Sequence, residues 1–144
     1  MSHSTNTNDL VERLRARGQR VTSQRLVILR ALRRHGGHAT VDEIHRAVLR
    51  DLPGTSTPTV YATLDLLVEL GLARKLDVGV GASRYDGRTE PHQHMVCRRC
   101  GRIEDLDVEL DVEALVRAAD ATGFQARDTE LVISGVCAAC AAKG

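Results

Sequence analysis

The 144-residue sequence predicts an α+β protein in which an N-terminal winged helix-turn-helix domain is followed by a small C-terminal α/β domain with a four-cysteine zinc site. Three observations predict this class. Four amphipathic segments with helix-capping residues precede a pair of short strand patterns. All four cysteines fall in two C-x-x-C pairs near the C-terminal end. Apolar residues make up 42% of the chain, which supports a packed core. We predict that the first domain covers residues 1–85 and the second residues 86–144.

The first two helices are predicted from where their patterns start and stop. An amphipathic segment covers residues 8–17 and ends at Gly18. Thr22 has the side chain of a good N-terminal cap, and apolar residues then recur at helical spacing as far as residues 35–37. The sequence therefore predicts two consecutive helices at the start of the first domain.

The next two helices form the predicted helix-turn-helix pair. Thr40 and Glu43 have the spacing of a capping box, which starts the third helix. Thr57 followed by Pro58 starts the fourth, because proline is well tolerated in the first helical turn. Gly71 falls where a C-terminal cap belongs. In such a pair the second helix, here the fourth of the chain, enters the major groove of DNA.

Strand patterns complete the first domain and frame the second. Residues 73–78 and 81–86 predict the hairpin that forms the wing. The second domain has strands predicted at residues 94–97, 102–107 and 129–136, and a helix at residues 112–122 that Asp111 can cap. A unit of about 60 residues buries little apolar surface, so we expect it to need a structural metal or a dimer partner.

Charge is unevenly distributed along the chain. The net charge is only +1, but residues 1–85 carry 13 Lys and Arg against 8 Asp and Glu, while residues 86–144 carry 7 against 11. A basic first half suggests a polyanionic partner, although solvated helix faces would give the same balance. No apolar stretch approaches the roughly 20 residues of a membrane span, and the polar N-terminus lacks the core of a signal peptide. We therefore expect a cytoplasmic protein.

The cysteine pairs predict a structural zinc site. Cys97 and Cys100 form the first pair, and Cys137 and Cys140 the second. Two such pairs let four thiolates surround one tetrahedral ion, and Gly101 permits the tight turn that follows the first pair. Paired disulfides or a thioredoxin-like redox motif are the alternatives, but a chain without an export signal favours metal binding.

A second metal site is predicted from histidines and carboxylates. His92 and His94 lie on the same side of an extended segment, because side chains alternate along a strand. Asp86 lies upstream and Asp105 on the facing strand, so two nitrogens and two hard oxygens are available, a set that suits Fe²⁺, Mn²⁺ or Co²⁺. The same residues also fit surface histidines and solvated carboxylates. His38 is a possible fifth ligand, although a single histidine at such a position is more often an ordinary loop residue.

In their order and spacing, these motifs resemble the ferric uptake regulator (Fur) family along almost the whole chain. The matching segments are residues 17–25, 38–44, 57–64, 84–86, 92–97, 100–101 and 135–140. Within the family the chain is most similar to the peroxide-sensing (PerR) branch. The resemblance implies a regulatory site formed by His38, Asp86, His92, His94 and Asp105.

What the resemblance implies is a metal-dependent transcription repressor that binds an operator in double-stranded DNA as a homodimer. The second domain is then a dimerisation domain with structural Zn²⁺, and Fe²⁺ or Mn²⁺ occupies the regulatory site. With iron bound, hydrogen peroxide oxidises a ligand, His38 or His92, and the repressor leaves DNA. Mn²⁺ closes the dimer for DNA binding in the same way as Fe²⁺, but it does not lead to oxidation of a histidine ligand. An iron- or manganese-responsive repressor of the same family, without peroxide sensing, is the alternative.

The predicted DNA-binding residues lie at the start of the second helix and on the fourth. They are Arg20 and Arg25 for the DNA backbone, Ser56 and Thr63 for phosphate, and Thr59 and Tyr61 for thymine methyl groups. Ala62 stands where relatives often carry Arg or Asn. We therefore expect this chain to lack one polar base contact.

Two other classes of protein are compatible with parts of the sequence. A two-histidine, carboxylate iron site resembles the centre of an oxygenase. The sequence shows no obvious substrate pocket, however, and devotes its basic half to a winged helix, so we predict no enzyme and no organic substrate. A zinc-stabilised dimerisation adaptor that does not bind DNA is the other hypothesis. Salt-sensitive binding to promoter DNA would exclude it.

Overall fold

The computed structural model describes residues 7–77, 82–88, 93–126 and 129–144. They form two compact units, and the first contains residues 7–77 and 82–88. Each unit has its own three-stranded sheet, which agrees with the predicted α+β class. Among the described residues, no helix has the length and apolar character that a membrane span requires.

The first unit has four helices and a small antiparallel sheet. Its elements are α1 (Asn8–Ala16), α2 (Ser23–His35), β1 (Ala39–Thr40), α3 (Val41–Leu49), α4 (Thr57–Glu69), β2 (Arg74–Leu76) and β3 (Arg84–Asp86). The sheet order is β1-β3-β2, so β3 is central. All four predicted helices and both strands of the wing are present. The two-residue strand β1 was not predicted. The loop predicted between the wing strands, residues 79–80, lies outside the described residues, as do the predicted strand ends at residues 78 and 81.

Side-chain caps begin α2 and α3 as predicted. Thr22 accepts a hydrogen bond from a backbone N–H in the first turn of α2, and Gly36 ends this helix in the left-handed conformation, with φ of 71°. At α3 both halves of the capping box form: the Thr40 hydroxyl accepts from the Glu43 N–H, and the Glu43 carboxylate accepts from the Thr40 N–H. These caps satisfy backbone donors that the helix itself leaves unpaired.

Helix α4 begins one residue earlier than predicted. Ser56 is its cap, and the Ser56 hydroxyl accepts from the backbone N–H of Thr59. Thr57 and Pro58 are therefore the first two helical residues. Gly71 follows the helix with φ of 74°, as the predicted C-terminal cap requires.

The hydrophobic core of the first unit is aliphatic apart from Tyr85. All four helices contribute to it, with the largest fully buried aliphatic side chains being Leu10, Leu14, Ile28, Leu29, Leu32, Ile44, Leu64 and Leu67. The guanidinium of the buried Arg33 is paired with Asp9 at 2.6 Å, which ties α2 to α1. This core gives the first unit a basis for stability that does not depend on a metal.

The second unit has less buried apolar surface. Its elements are β4 (Gln93–Cys97), β5 (Ile103–Leu106), α5 (Val112–Asp120), β6 (Val132–Gly135) and α6 (Ala138–Ala142). The sheet order is β5-β4-β6, with β5 antiparallel and β6 parallel to β4. The short helix α6 was not predicted. No residue of α5 is buried.

Large apolar side chains lie on the surface of this unit. Six of them are 42–65% exposed: Val108, Val112, Leu115, Phe124, Ile133 and Val136. Scattered exposed apolar residues are common, but this many in a unit of this size indicates a surface that is covered by another molecule.

Candidate metal centres and nucleic-acid interface

Four cysteines converge at one end of the second sheet. Cys97 ends β4, Cys100 lies in the following turn, Cys137 is the N-terminal cap of α6, and Cys140 lies on α6. Their sulfur atoms all lie within 4.8 Å of one another, and the Cys100 and Cys137 sulfurs are 3.8 Å apart. Zinc–sulfur bonds of about 2.3 Å in a tetrahedron place the sulfurs about 3.8 Å apart. The cluster therefore fits tetrahedral zinc, and all four cysteines are free of disulfides.

The backbone explains why these cysteines meet. The parallel register places Cys97 of β4 beside Gly135 of β6, two residues before Cys137. After Cys97 the chain makes a tight turn, in which the Gly101 N–H donates to the Cys97 carbonyl at 2.9 Å. Gly101 has φ of 75°, a conformation that residues with a Cβ rarely adopt.

Hydrogen bonds from the backbone favour the thiolate form of Cys97. The backbone N–H groups of Cys100 and Cys137 lower the pKa of Cys97 to about 6, and the Cys137 N–H lies 3.3 Å from the Cys97 sulfur. The hydrogen bond with the Cys137 thiol raises the pKa of Cys140 to about 12. Because the metal-free cluster keeps protons that zinc must displace, zinc binding by these cysteines releases protons.

A buried histidine–carboxylate pair lies in the first unit. The antiparallel register pairs Ala39 with Tyr85, so the preceding His38 falls beside Asp86. The His38 Nδ1 atom is 3.5 Å from an Asp86 oxygen, and both side chains are buried. The other Asp86 oxygen accepts from the Arg88 N–H at 2.8 Å. This pair offers one nitrogen and one oxygen donor to a metal ion.

A second histidine–carboxylate pair lies in the second unit. The register of β4 and β5 pairs His94 with Asp105, and the His94 Nε2 atom is 3.8 Å from an Asp105 oxygen. His94 is only 1% exposed. Its Nδ1 atom lies 3.7 Å from a carboxylate oxygen of Glu130. Glu130 was not among the predicted site residues, since only the parallel pairing of β6 with β4 brings its segment beside His94.

The remaining histidines have different surroundings. His92, a predicted ligand, lies outside the described residues. His35 contacts the Glu43 carboxylate at 2.9 Å, and His45 contacts the backbone carbonyl of Thr55 at 2.7 Å. The ring of each of these two histidines therefore contacts another protein group, and neither residue was predicted to bind a metal.

On α4, the predicted DNA-binding residues differ in exposure. Tyr61 is 47% exposed. Ser56 is exposed and Thr59 half-buried, and their hydroxyls are 2.9 Å apart. Thr63 is only 6% exposed and faces the core. A phosphate contact by Thr63 would therefore require the helix to move, whereas the other three side chains are accessible.

The two predicted arginines lie near the start of α2. Arg20 is exposed, and Arg25 is half-buried. The Arg25 guanidinium donates to the Arg20 backbone carbonyl at 2.6 Å. Arg25 thus holds the segment that carries Arg20, while the Arg20 side chain extends into solvent.

Comparisons with known proteins agree on one family. The model of the ferric uptake regulator family matches residues 16–134. The peroxide operon regulator of Bacillus subtilis is 37% identical over 135 residues, which cover 94% of this chain and 93% of that protein.

Two solved structures show the same fold. The peroxide stress regulator of Campylobacter jejuni is 30% identical with a TM-score of 0.70, over 91% of this chain and 98% of that one. The ferric uptake regulator of Vibrio cholerae, whose structure reveals a rearrangement of its DNA-binding domains, is 26% identical. Its TM-score is 0.69, over 88% of this chain and 98% of that one.

Proposed function

Because the chain belongs to the ferric uptake regulator family, we propose that it is a metal-dependent, DNA-binding transcription repressor that senses hydrogen peroxide. The observation that carries this proposal is a set of nitrogen and oxygen donors separate from the four cysteines: His38 with Asp86, and His94 with Asp105. Two of the similar proteins are regulators of the peroxide response.

The four cysteines hold structural Zn²⁺ in this proposal. The sulfur separations fit a tetrahedral ion. The ligands join the end of β4 to the start of α6, and so close a unit that buries little apolar surface. Zinc binding is then part of the folding free energy of the second unit.

The regulatory site holds Fe²⁺ or Mn²⁺ through five proposed ligands: His38, Asp86, His92, His94 and Asp105. Both aspartates supply hard anionic oxygens, which suit these ions better than thiolates do. If bound at these residues, Fe²⁺ would activate hydrogen peroxide, which would give one oxygen atom to a ligand imidazole and leave as water. Oxidation of His38 or His92 would remove a donor, so the affinity of the site for the metal would fall, and metal-dependent DNA binding would fall with it.

DNA binding is proposed for the exposed side of α4 and the start of α2. Tyr61 and Thr59 face thymine methyl groups, while Ser56 and Arg20 contact the DNA backbone. Arg25 supports the Arg20 segment. The buried Thr63 makes no contact with DNA in this proposal. Two copies of α4 in a homodimer would read successive major grooves.

The exposed apolar side chains of the second unit are the proposed dimer surface. Leu115 lies on α5, a helix with no buried residue in the single chain. Leu115→Asp places a charge in that surface and is expected to shift the zinc-containing protein from dimer to monomer in sedimentation. Glu113→Asp, a change at a charged position of the same helix, is the control. An unchanged dimer in both variants would contradict this surface.

Peptide oxidation tests the sensing proposal. The zinc-containing protein is loaded with Fe²⁺, treated with dilute hydrogen peroxide and mapped by mass spectrometry. We expect an added oxygen on His38 or His92, loss of promoter binding, and protection by Mn²⁺. His35 and His45 serve as internal controls and stay unmodified. Unmodified His38 and His92 with metal-dependent DNA binding intact would favour the iron- or manganese-responsive alternative.

A further inference from the structure

A cavity in the first unit lies between α2 and α3, among residues that the proposed metal and DNA sites do not use. Its volume is about 330 Å³, within the lower range of small-molecule sites. Part of its lining is apolar and consists of Val27, Ala31, Ile44 and Ala47. Ile44 is buried and the other three are half-buried, so the cavity has an apolar wall that is partly shielded from solvent.

Three arginines also line this cavity: Arg30, Arg34 and Arg50. Within the described ranges, none of their guanidinium groups has a hydrogen-bond or ion-pair partner. Arg33 on the same helix is different, since Asp9 holds its guanidinium at 2.6 Å. Three guanidinium groups without a side-chain partner around one cavity are available to bind anions.

The two carboxylates of the cavity offset part of this charge, and three guanidinium groups against two carboxylates leave a net charge of +1. Glu43 is held by its neighbours: it contacts His35 at 2.9 Å, accepts from the Thr40 N–H at 3.2 Å, and lies 3.6 Å from Arg84. Asp51 is the other acidic lining residue. Arg46 lines the adjoining cavity and adds a further positive charge there.

We propose that this cavity binds a small organic anion with at least two negative charges and an apolar body. Its phosphate or carboxylate groups would contact Arg30, Arg34 and Arg50, because the planar guanidinium can donate two parallel hydrogen bonds to either group. Its apolar body would lie against Ile44 and Ala47. The proposal does not depend on peroxide sensing or on the regulatory metal.

Calorimetric titration with two probes tests the site. The zinc-containing protein is titrated with inorganic pyrophosphate and with adenosine triphosphate, without free divalent cations. Arg30→Gln with Arg34→Gln should weaken both probes at least about tenfold, since hydrogen bonds to charged groups are strong. Ala47→Leu fills the apolar part and should weaken only the nucleotide. Arg15→Gln with Arg74→Gln removes the same charge elsewhere in the unit and should change affinity less than about twofold.

Three results would overturn the proposal. One is the absence of saturable binding of either probe below about 1 mM, the level of weak surface contacts. Another is equal weakening in the control pair, which would mean general attraction to a basic surface. The third is unchanged nucleotide affinity in Ala47→Leu. Thermal unfolding checks that each variant is folded, and Arg34→Gln alone, at an exposed position, replaces the double variant if that one is not.

Discussion

The imidazole of His94 lies between two carboxylates of the second unit. Asp105 faces one ring nitrogen at 3.8 Å and Glu130 the other at 3.7 Å. An imidazole that binds a metal through one nitrogen commonly donates the N–H of the other to a carboxylate, which sets the tautomer and the ring orientation. We therefore assign Glu130 a positioning role beside the proposed ligands His94 and Asp105.

Glu130→Gln tests this role. The amide keeps the size of the side chain but removes its charge, so the orientation of His94 is less well held. We expect the affinity for Mn²⁺ to fall by about 10- to 100-fold in a metal titration, while zinc content stays the same. Glu109→Gln removes a charge at another exposed position of the second unit and should have no effect. Equal Mn²⁺ affinity in both variants would rule out the positioning role.

The Asp9–Arg33 pair makes stability depend on pH. The hydrogen bond from the Arg33 guanidinium holds the pKa of Asp9 below its usual 3.8. The stability from this pair is thus complete above pH 3.8 and is lost as the pH falls through the lower pKa of the folded state. Asp9→Asn should cost about 1 kcal/mol at pH 7, because the buried Arg33 loses its contact with the Asp9 carboxylate.

Urea unfolding of the first unit, followed by its helical signal, measures this cost. The difference between wild type and Asp9→Asn should shrink between pH 7 and pH 3. Glu12→Gln changes an exposed carboxylate on the same helix and should leave stability unaltered. A difference that is the same at both pH values would show that the charge of Asp9 is not its cause.

At the scale of elements, helix ends position the proposed sites. The capping box of Thr40 and Glu43 starts α3 directly after β1. His38 precedes β1, and the Arg84 guanidinium contacts both the His38 carbonyl at 3.2 Å and Glu43 at 3.6 Å. The start of α3 and the segment that carries His38 are therefore both in contact with Arg84.

Thr40→Ala removes one half of this capping box. The Glu43 N–H then lacks its side-chain acceptor, and the first unit should lose about 1 kcal/mol of unfolding free energy. Thr40→Ser keeps the hydroxyl and should retain most of the stability. Chemical unfolding of both variants checks the prediction, and equal losses in the two would assign the effect to the methyl group instead of the cap.

At the scale of the whole molecule, the two units depend on zinc to different degrees. The first has an aliphatic core with buried residues from four helices. The second has few buried apolar residues, among them Val96 and Cys97, and its helix α5 has none. Because structural zinc supplies folding free energy, its loss should affect mainly the second unit.

Cys137→Ser tests this difference. Three thiolates remain, so we expect less than one zinc per chain by elemental analysis and loss of hydrogen-exchange protection in β4 and β6. Protection of α2 and α4 should persist. Chelation of the wild type should reproduce this pattern, and Ser134→Ala on β6 is the control that keeps zinc. Simultaneous loss of protection in both units would contradict a separately stable first unit.

The sequence by itself determined the features that depend on local chemistry. Helix caps at Thr22 and Thr40 are predictable because each acts within one turn of the chain. The cysteine pairs are predictable for a similar reason, since C-x-x-C spacing brings two sulfurs together in one tight turn. The order of all these motifs along the chain was enough to identify the family.

Only the tertiary structure decided which distant segments meet. The parallel pairing of β6 with β4 places Glu130 beside His94, and no local pattern encodes that register. The burial of Thr63 depends on how α4 packs in the core. Arg30 and Arg34 of α2 and Arg50 at the end of α3 line one cavity only because those helices pack side by side. Contacts between residues far apart in sequence arise from packing of the whole unit, and hydrophobic periodicity alone does not specify it.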